Sequence, residues 1–283
     1  MVSFIVPALL KPIKKSSKKL KSEEEYLYGC LNSITAEIKR EKDDSEIIAI
    51  IKCQEEEQSR ILRNLVERYN HGVRCHFYEG NRSEARNLGA ELAKGDILTF
   101  VDADTVIGEG FLRVIKKDFA KGYGYVNNTT RPLPEEFAKN RRLRYYATFM
   151  GLNQWGLTLM GIYRPYGYCM SVRKDICDKA FHDGEIFNSK ISGYGEDSGS
   201  GGVIGAHCRK NGIRGKYEKG KYIEDGKKKR AIVYTSFRGW HEIGFWRGGS
   251  KMIVEVFLLP LLNEPRPLIG NWRERKENAP YGI

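Results

Sequence analysis

Nowhere in the chain do two cysteines stand in a Cys-x-x-Cys pair. Cys30, Cys53, Cys75, Cys169, Cys177 and Cys208 are scattered and mostly interrupt apolar runs, which argues against a zinc site and for reduced core thiols of a cytosolic protein. A basic-then-apolar leader is also missing, since Met1-Val2-Ser3-Phe4-Ile5-Val6-Pro7 already reads as a strand. The longest nearly uncharged run, residues 252–262, contains Glu255 and Pro260 and is too short to span a bilayer. No internal repeat is evident, which excludes solenoids and propellers. Acids are in deficit: 36 Asp and Glu against 48 Lys and Arg leave a formal net charge of +12. Such an imbalance implies an anionic partner, whether a sugar nucleotide, a phospholipid surface or nucleic acid.

What is present is alternation. With 283 residues, 41% of them hydrophobic, the chain can bury a large core. A short apolar strand over residues 2–6 ends at Pro7 and leads into a loop carrying Lys14, Lys15, Lys18, Lys19 and Lys21. That lysine run reads as a solvated loop, or as a lip that attracts phosphates or lipid headgroups. A helix follows with Leu27, Cys30, Leu31, Ile34 and Ile38 on one face, then a buried strand over residues 47–51. Ile61, Leu62, Leu65, Val66 and Tyr69 mark a second helix, and residues 73–78 a third strand. From Gly80 a further helix opens, with Ala85, Leu88, Gly89, Leu92 and Ala93 at i, i+3, i+4, i+7 spacing. Repeated strand-helix units predict an α/β fold, a mostly parallel sheet with helices on both faces. Later elements are a helix over 111–119, a strand over 123–127, a basic helical stretch from 134 to about 155, and strands over 166–172 and 231–236. Trp155, Tyr194 and Trp240 would each either stack on a sugar or fill the core, the core being the default expectation.

The candidate chemistry sits at Ile97-Leu98-Thr99-Phe100-Val101-Asp102-Ala103-Asp104, a buried strand that delivers two acids at its C-terminal end. Open α/β sheets bind ligands at that end of their strands. If the strand continued one step, Asp102 and Asp104 would project to the same side. Like charges so close repel unless a cation joins them, so the pair points to a hard divalent metal and an anionic ligand that completes its shell. A solvated Asp-rich turn would read the same way.

As an ordered set, Phe4-Ile5-Val6-Pro7, the Ala85-Arg86-Asn87-x-Gly89 core, the strand ending Asp102-Ala103-Asp104 and the pair Glu196-Asp197 resemble the family 2 glycosyltransferases of GT-A fold. The resemblance is dense from about residue 73 to 115 and thin after 130. It implies a GT-A-type, Rossmann-like mixed sheet with a nucleotide-sugar-binding half over 1–130, an acceptor-binding half of the same domain over 131–245, and a tail over 246–283. It further implies a nucleotide-diphospho sugar as donor, a hydroxyl acceptor and an inverting, metal-dependent transfer. Pro7, Arg86, Asp102, Ala103 and Asp104 would then line the nucleotide pocket, with Asp102 near the ribose. Asp104, with Asp102, would hold Mn²⁺ or Mg²⁺ bridging the diphosphate. Asp197, next to Glu196, would be the general base, and His241 either a third metal ligand or a structural hydrogen-bond partner.

The chemistry asks for these types on its own terms. Loss of a nucleoside diphosphate builds charge on the leaving oxygens, which a metal and a guanidinium stabilise. The attacking hydroxyl needs a carboxylate to take its proton. Two departures stand out. Ile51 is followed by Lys52-Cys53-Gln54, where relatives carry an acid that reads the base. Asp197 precedes Ser198-Gly199-Ser200-Gly201-Gly202, poor helix material that predicts either a close approach of the backbone to the acceptor or a mobile loop, although Asp197 also fits the N-cap of a helix through Val203 and Ile204. Arg238-Gly239-Trp240 matches the Arg-Trp element of processive members too loosely to imply a polymerising synthase. Two rival readings remain at this level. One is a haloacid-dehalogenase-type phosphotransferase with Asp102 as covalent nucleophile. The other is a basic, non-catalytic nucleic-acid- or membrane-binding module, which leaves the acids unexplained. The expected location is the cytoplasm, with a peripheral hold on the membrane through the basic loops and residues 252–262, and nucleic acid is the less expected partner.

Overall fold

Strand β1 (Val2–Leu9) is flanked by two parallel neighbours, β2 (Glu46–Lys52) and β4 (Ile97–Val101). Its side chains alternate between two apolar layers: Phe4, Val6 and Ala8 enter one, Ile5 the other. β2 divides in the same way, Ile47, Ala49 and Ile51 against Ile48 and Ile50. Near-continuous apolar runs of this kind mark strands covered on both faces. The computed structural model describes residues 1–10, 21–139, 148, 151–152, 155–156, 158–159, 169–181, 185–188 and 196–236.

The main sheet has the order β3 (Arg74–Phe77), β2, β1, β4, β8 (Cys169–Arg173), β6 (Tyr125–Asn128), β9 (Gly215–Glu218). The first four strands are parallel, β8 runs antiparallel to β4 and β6, and β9 is parallel to β6. Helices α1 (Glu23–Glu41), α2 (Glu55–Tyr69) and α4 (Phe111–Ala120) fill one layer. Helices α3 (Arg82–Leu92), α6 (Lys174–Ala180) and α7 (Glu196–Lys210) fill the other. A small sheet of β5 (Thr105–Ile107), β12 (Val233–Thr235) and β7 (Thr130–Pro132) stands beyond the end of β4, and α5 (Pro134–Lys139) follows β7. Strands β10 (Lys221–Glu224) and β11 (Lys227–Arg230) form a separate hairpin.

One cap is supplied from a distance. α4 starts after Gly110, which has no capping side chain, and the buried Glu37 of α1 accepts from the N–H groups of Gly110 and Leu112 at 3.2 and 3.0 Å. A carboxylate at a helix N-terminus satisfies orphan donors and suits the helix dipole. That contact fixes α1 and α4 behind β5.

Three expectations need correction. The first strand does not stop at Pro7 but runs to Leu9. Leu10 donates its N–H to Lys52 on β2, so by the strand period Pro7 turns its nitrogen toward β4, whose pairing with β1 has ended at Ile5–Phe100. No ladder bond is lost there. The glycine-rich run after Asp197 is not a loop, because α7 passes straight through it. Fully buried Ile204 and Cys208 tie α7 into the layer that holds Ile176 and Cys177 of α6, and that burial outweighs the helix cost of glycine, about 1 kcal/mol each. Trp155 is not in the core: it is 43% exposed, between Leu152 at 61% and Leu159 at 68%. Among the described residues no helix is long and apolar enough to cross a membrane.

Candidate active site

The site begins with the start of α3. Asn81 caps the helix by accepting from the Glu84 N–H at 3.0 Å, and Glu84 returns a bond to the Asn81 N–H at 2.7 Å. Gly89 lets that helix lie on β1, since a Cβ there would stand 2.3 Å from the Ile5 Cγ2 atom. Together these place Arg86 in the second turn, against the C-terminal end of β4. Its side chain is 1% exposed, and Nη2 donates to Asp102 Oδ1 at 2.7 Å. Arg86 was expected to line the nucleotide pocket. It is a buried residue ion-paired to the first acid of the triplet.

The triplet is not a strand extension. β4 ends at Val101, and Thr105 N–H donates to the Asp102 carbonyl at 2.9 Å, closing a turn over the two acids. The same-side geometry expected of a continuing strand is replaced by this turn. Thr105 and Ala103 follow from it: Thr105 opens β5, and Ala103 packs partly buried on the core. Across the turn, Ser236 at the end of β12 donates its N–H to the Asp104 carbonyl at 3.2 Å. Asp102 and Asp104 are both half-buried. Beneath them, burial pushes the Cys30 and Cys169 thiols far above the usual range, which leaves them neutral.

Asn87, next to Arg86, does something the motif did not reveal. Its side-chain amide bonds both backbone groups of Phe187, donating to the carbonyl at 2.7 Å and accepting from the N–H at 2.9 Å. The Phe187 ring meets Phe100 of β4 edge-on at 4.9 Å, and the Arg86 guanidinium lies 5.1 Å from its centre. Asp102, Arg86, Phe187 and Asn87 therefore form one connected group. Nothing in the sequence singled out Phe187, because its partners are 100 residues away.

The remaining expected residues fall as follows. Pro7 is buried in β1. Lys52, which stands where an acid was expected, donates to the Glu79 carbonyl at 2.6 Å and so ties β2 to the loop before α3. Glu196 and Asp197 are the first two residues of α7, so Asp197 is inside the helix and not its N-cap. His241, Tyr194 and Trp240 lie outside the described residues. A hollow of about 490 Å³ lined by Lys94, Asp96, Arg173 and Lys174 opens at the N-terminal end of β4, the end at which such sheets do not bind ligands.

A mostly parallel sheet that turns antiparallel at β8, with paired acids and a small sheet beyond β4, is the GT-A glycosyltransferase architecture. The fold is shared with the crystal structure of S. aureus TarS at TM-score 0.53 and 14% identity, over 99% of this chain and 46% of that one. It is shared with TarS 1-349 in complex with UDP-GlcNAc at TM-score 0.51 and 16% identity, over 83% of this chain and 58% of that one. The mannosyltransferase PcManGT from Pyrobaculum calidifontis, in complex with GDP-Man and Mn²⁺, matches at TM-score 0.57 and 15% identity, over 93% of this chain and 64% of that one. This chain thus spans less than two thirds of the length of each of these three proteins. Residues 20–181 match the family model Glycosyl transferase family 2, and the chain belongs to that family. No curated protein matches it. Family membership removes the phosphotransferase reading, in which the acidic strand would be the first and not the fourth.

Proposed function

We propose that this chain transfers a sugar from a nucleoside-diphospho sugar to a hydroxyl acceptor, with inversion at the anomeric carbon and with Mn²⁺ or Mg²⁺. The observation that carries this reading is the buried Arg86–Asp102 ion pair set beside Asp104 at the C-terminal end of β4. The donor set suits a hard divalent cation: two carboxylates one residue apart, all-oxygen, leaving ligand positions for diphosphate oxygens and water. Among the described residues no third His, Cys, Asp or Glu joins them, so a third protein ligand would come from His241. When bound, the ion supplies a Lewis acid for the charge that develops on the leaving diphosphate.

The protein's own groups do the rest. Arg86 neutralises Asp102, which relieves the repulsion on Asp104 and holds the Asp102 carboxylate in one orientation toward the ribose. Asp197 is the general base that takes the acceptor's proton. It stands in the first turn of α7, and a carboxylate is the type of group that takes a hydroxyl proton in such a transfer. Residues 1–130 serve the donor, 131–245 the acceptor, and 246–283 form a tail. A thermal-shift panel of UDP, GDP, ADP and CDP with Mn²⁺ or EDTA tests the reading. One nucleotide should stabilise the protein with Mn²⁺ and lose that effect in EDTA, and a panel with no stabilisation overturns the proposal.

A peripheral membrane hold from the cytoplasmic side is a second part of the reading. It is supported by the exposed Leu152, Trp155 and Leu159, spaced along one helical face, and by the Lys219 ammonium 5.7 Å from the Trp155 ring centre. Flotation with phosphatidylglycerol vesicles should carry the protein up and Trp155→Ala should reduce it; equal flotation of the two removes this part.

A further inference from the structure

The Asp104 loop is held by a second carboxylate that no motif marks. Glu136 of α5 is 1% exposed, and its Oε1 accepts from Ser236 Oγ at 2.6 Å, across 100 residues of chain. A hydroxyl and a carboxyl oxygen this close form a well-made hydrogen bond. Ser236 is the same residue whose N–H donates to the Asp104 carbonyl at 3.2 Å. Its neighbour Thr235 stands opposite Thr105 in the strand register and receives the Thr105 hydroxyl proton at 3.0 Å. On the other side, Leu133 donates its N–H to the Thr235 carbonyl at 3.0 Å, and the Glu136 N–H closes back on the Leu133 carbonyl at 3.0 Å. The end of β12 is thereby clamped between the loop of the paired acids and the turn that opens α5. At that clamp the buried Glu136 carboxyl sets the Ser236 rotamer and with it the backbone that holds Asp104.

We infer that Glu136 is a positioning residue for the metal loop, acting through Ser236 on Asp104. The inference rests on the reading of Asp104 as a metal ligand, and it adds a residue that touches neither donor nor metal. Its chemistry requires an acceptor oxygen at Oε1 and not a negative charge. Glutamine, which keeps an acceptor oxygen, should therefore substitute, and alanine should not.

The test titrates Mn²⁺ calorimetrically into the full chain in the presence of whichever of UDP or GDP the wild type binds, and records the unfolding midpoint of each metal-free variant beside it. Glu136→Ala should weaken apparent Mn²⁺ affinity by about 10–100-fold, the usual cost of losing an outer-shell partner. Glu136→Gln should stay within about twofold of wild type, a margin well inside that outer-shell range. Ser236→Ala should match Glu136→Ala, and the double variant should be no worse than either, because the two residues act in series. Wild-type affinity in Glu136→Ala overturns the inference, as does a Glu136→Gln variant as weak as alanine. If Glu136→Ala does not fold, Ser236→Ala decides, and wild-type affinity there overturns it. Failure of the wild type to bind either nucleotide with Mn²⁺ overturns the metal reading itself, a different result from any of these.

Discussion

At the scale of single residues the site is an exercise in charge balance. Two carboxylates one residue apart repel, and the chain already supplies a buried guanidinium for the first of them at 2.7 Å. The ion that the second would bind thus meets close to one net negative charge and not two, which leaves its remaining valence for the diphosphate. Removing Asp104 and removing Asp197 should then have separable effects. Asp104→Ala should abolish Mn²⁺-dependent nucleotide binding in a thermal-shift titration. Asp197→Asn should keep that binding and lose about 10²–10⁴-fold in turnover, the contribution of a positioned base; normal turnover removes Asp197 from the mechanism. Arg86 and the acids stood out in the sequence because the proposed reaction would call for those side-chain types. Their pairing did not, since it depends on α3 lying flat on β1. The partner of Asn87 was hidden for the same reason, being a backbone segment in the other half of the chain. Asn87→Ala strips both hydrogen bonds from Phe187 and should cost about 1–3 kcal/mol in urea unfolding, the penalty for leaving buried polar groups unpaired.

Between elements, fit is decided by a few close approaches. α3 rests on β1 at Gly89, and a methyl group there would sit 2.3 Å from Ile5, so Gly89→Ala should destabilise by about 1–3 kcal/mol in chemical denaturation through overpacking. α4 is tied to β9 by a charged cluster in which Lys216 lies between Asp118 and Glu218. Burial, helped by the nearby Glu218, pushes the Asp118 carboxyl from 3.8 up to about 6, with Lys216 opposing. Glu218 is held below its usual range in spite of its burial, by hydrogen bonds from Asp118 and Lys216. Between pH 3.8 and about 6 the folded chain keeps the Asp118 proton that the unfolded chain has given up. Stability from this group therefore falls as pH rises through that window. Glu218 has the opposite sign, its contribution being lost as pH drops below its ordinary value of 4.5. Asp118→Asn should flatten the fall between pH 4 and 6 in thermal midpoints, and an unchanged profile sinks this account. The strands and helices were readable from their periodicity. What escaped were the helix through Gly199, Gly201 and Gly202 and the passage of β1 through Pro7, because burial of Ile204 and the open side of a ladder are tertiary facts.

For the molecule as a whole, one sheet from β3 to β9 carries both the C-terminal end of β4 with its acids and the later strands, and the β5–β12–β7 sheet ties the acidic turn to residues 105, 130 and 235. Sequence gave the architecture through its repeated units but could not place the small sheet, whose three strands are three or so residues each and pair across distant parts of the chain. The net charge of +12 was legible from composition, and its purpose was not. Part of it is spent locally: Lys229 pairs with Glu224, Arg113 with Glu41, Arg60 with Glu24. Lys221, Lys227, Lys228 and Arg230 of the hairpin form none of the ion pairs seen among the described residues, and all four are exposed. A field of one sign draws an anionic donor toward the protein from beyond contact distance, and salt screens it over about 8 Å at physiological ionic strength. The bond-breaking step, between groups already in contact, is screened much less than encounter is. Raising salt from about 20 to 300 mM should therefore lower kcat/KM for the nucleotide sugar several-fold while kcat stays nearly constant, as expected when charge acts on encounter and not on the bond-breaking step. Replacing Lys221, Lys227 and Arg230 together by glutamine should remove part of that salt dependence without altering kcat. A kcat/KM that ignores salt in the native chain would mean that the positive surface faces something other than the donor, and the anionic vesicle becomes the partner to which it answers.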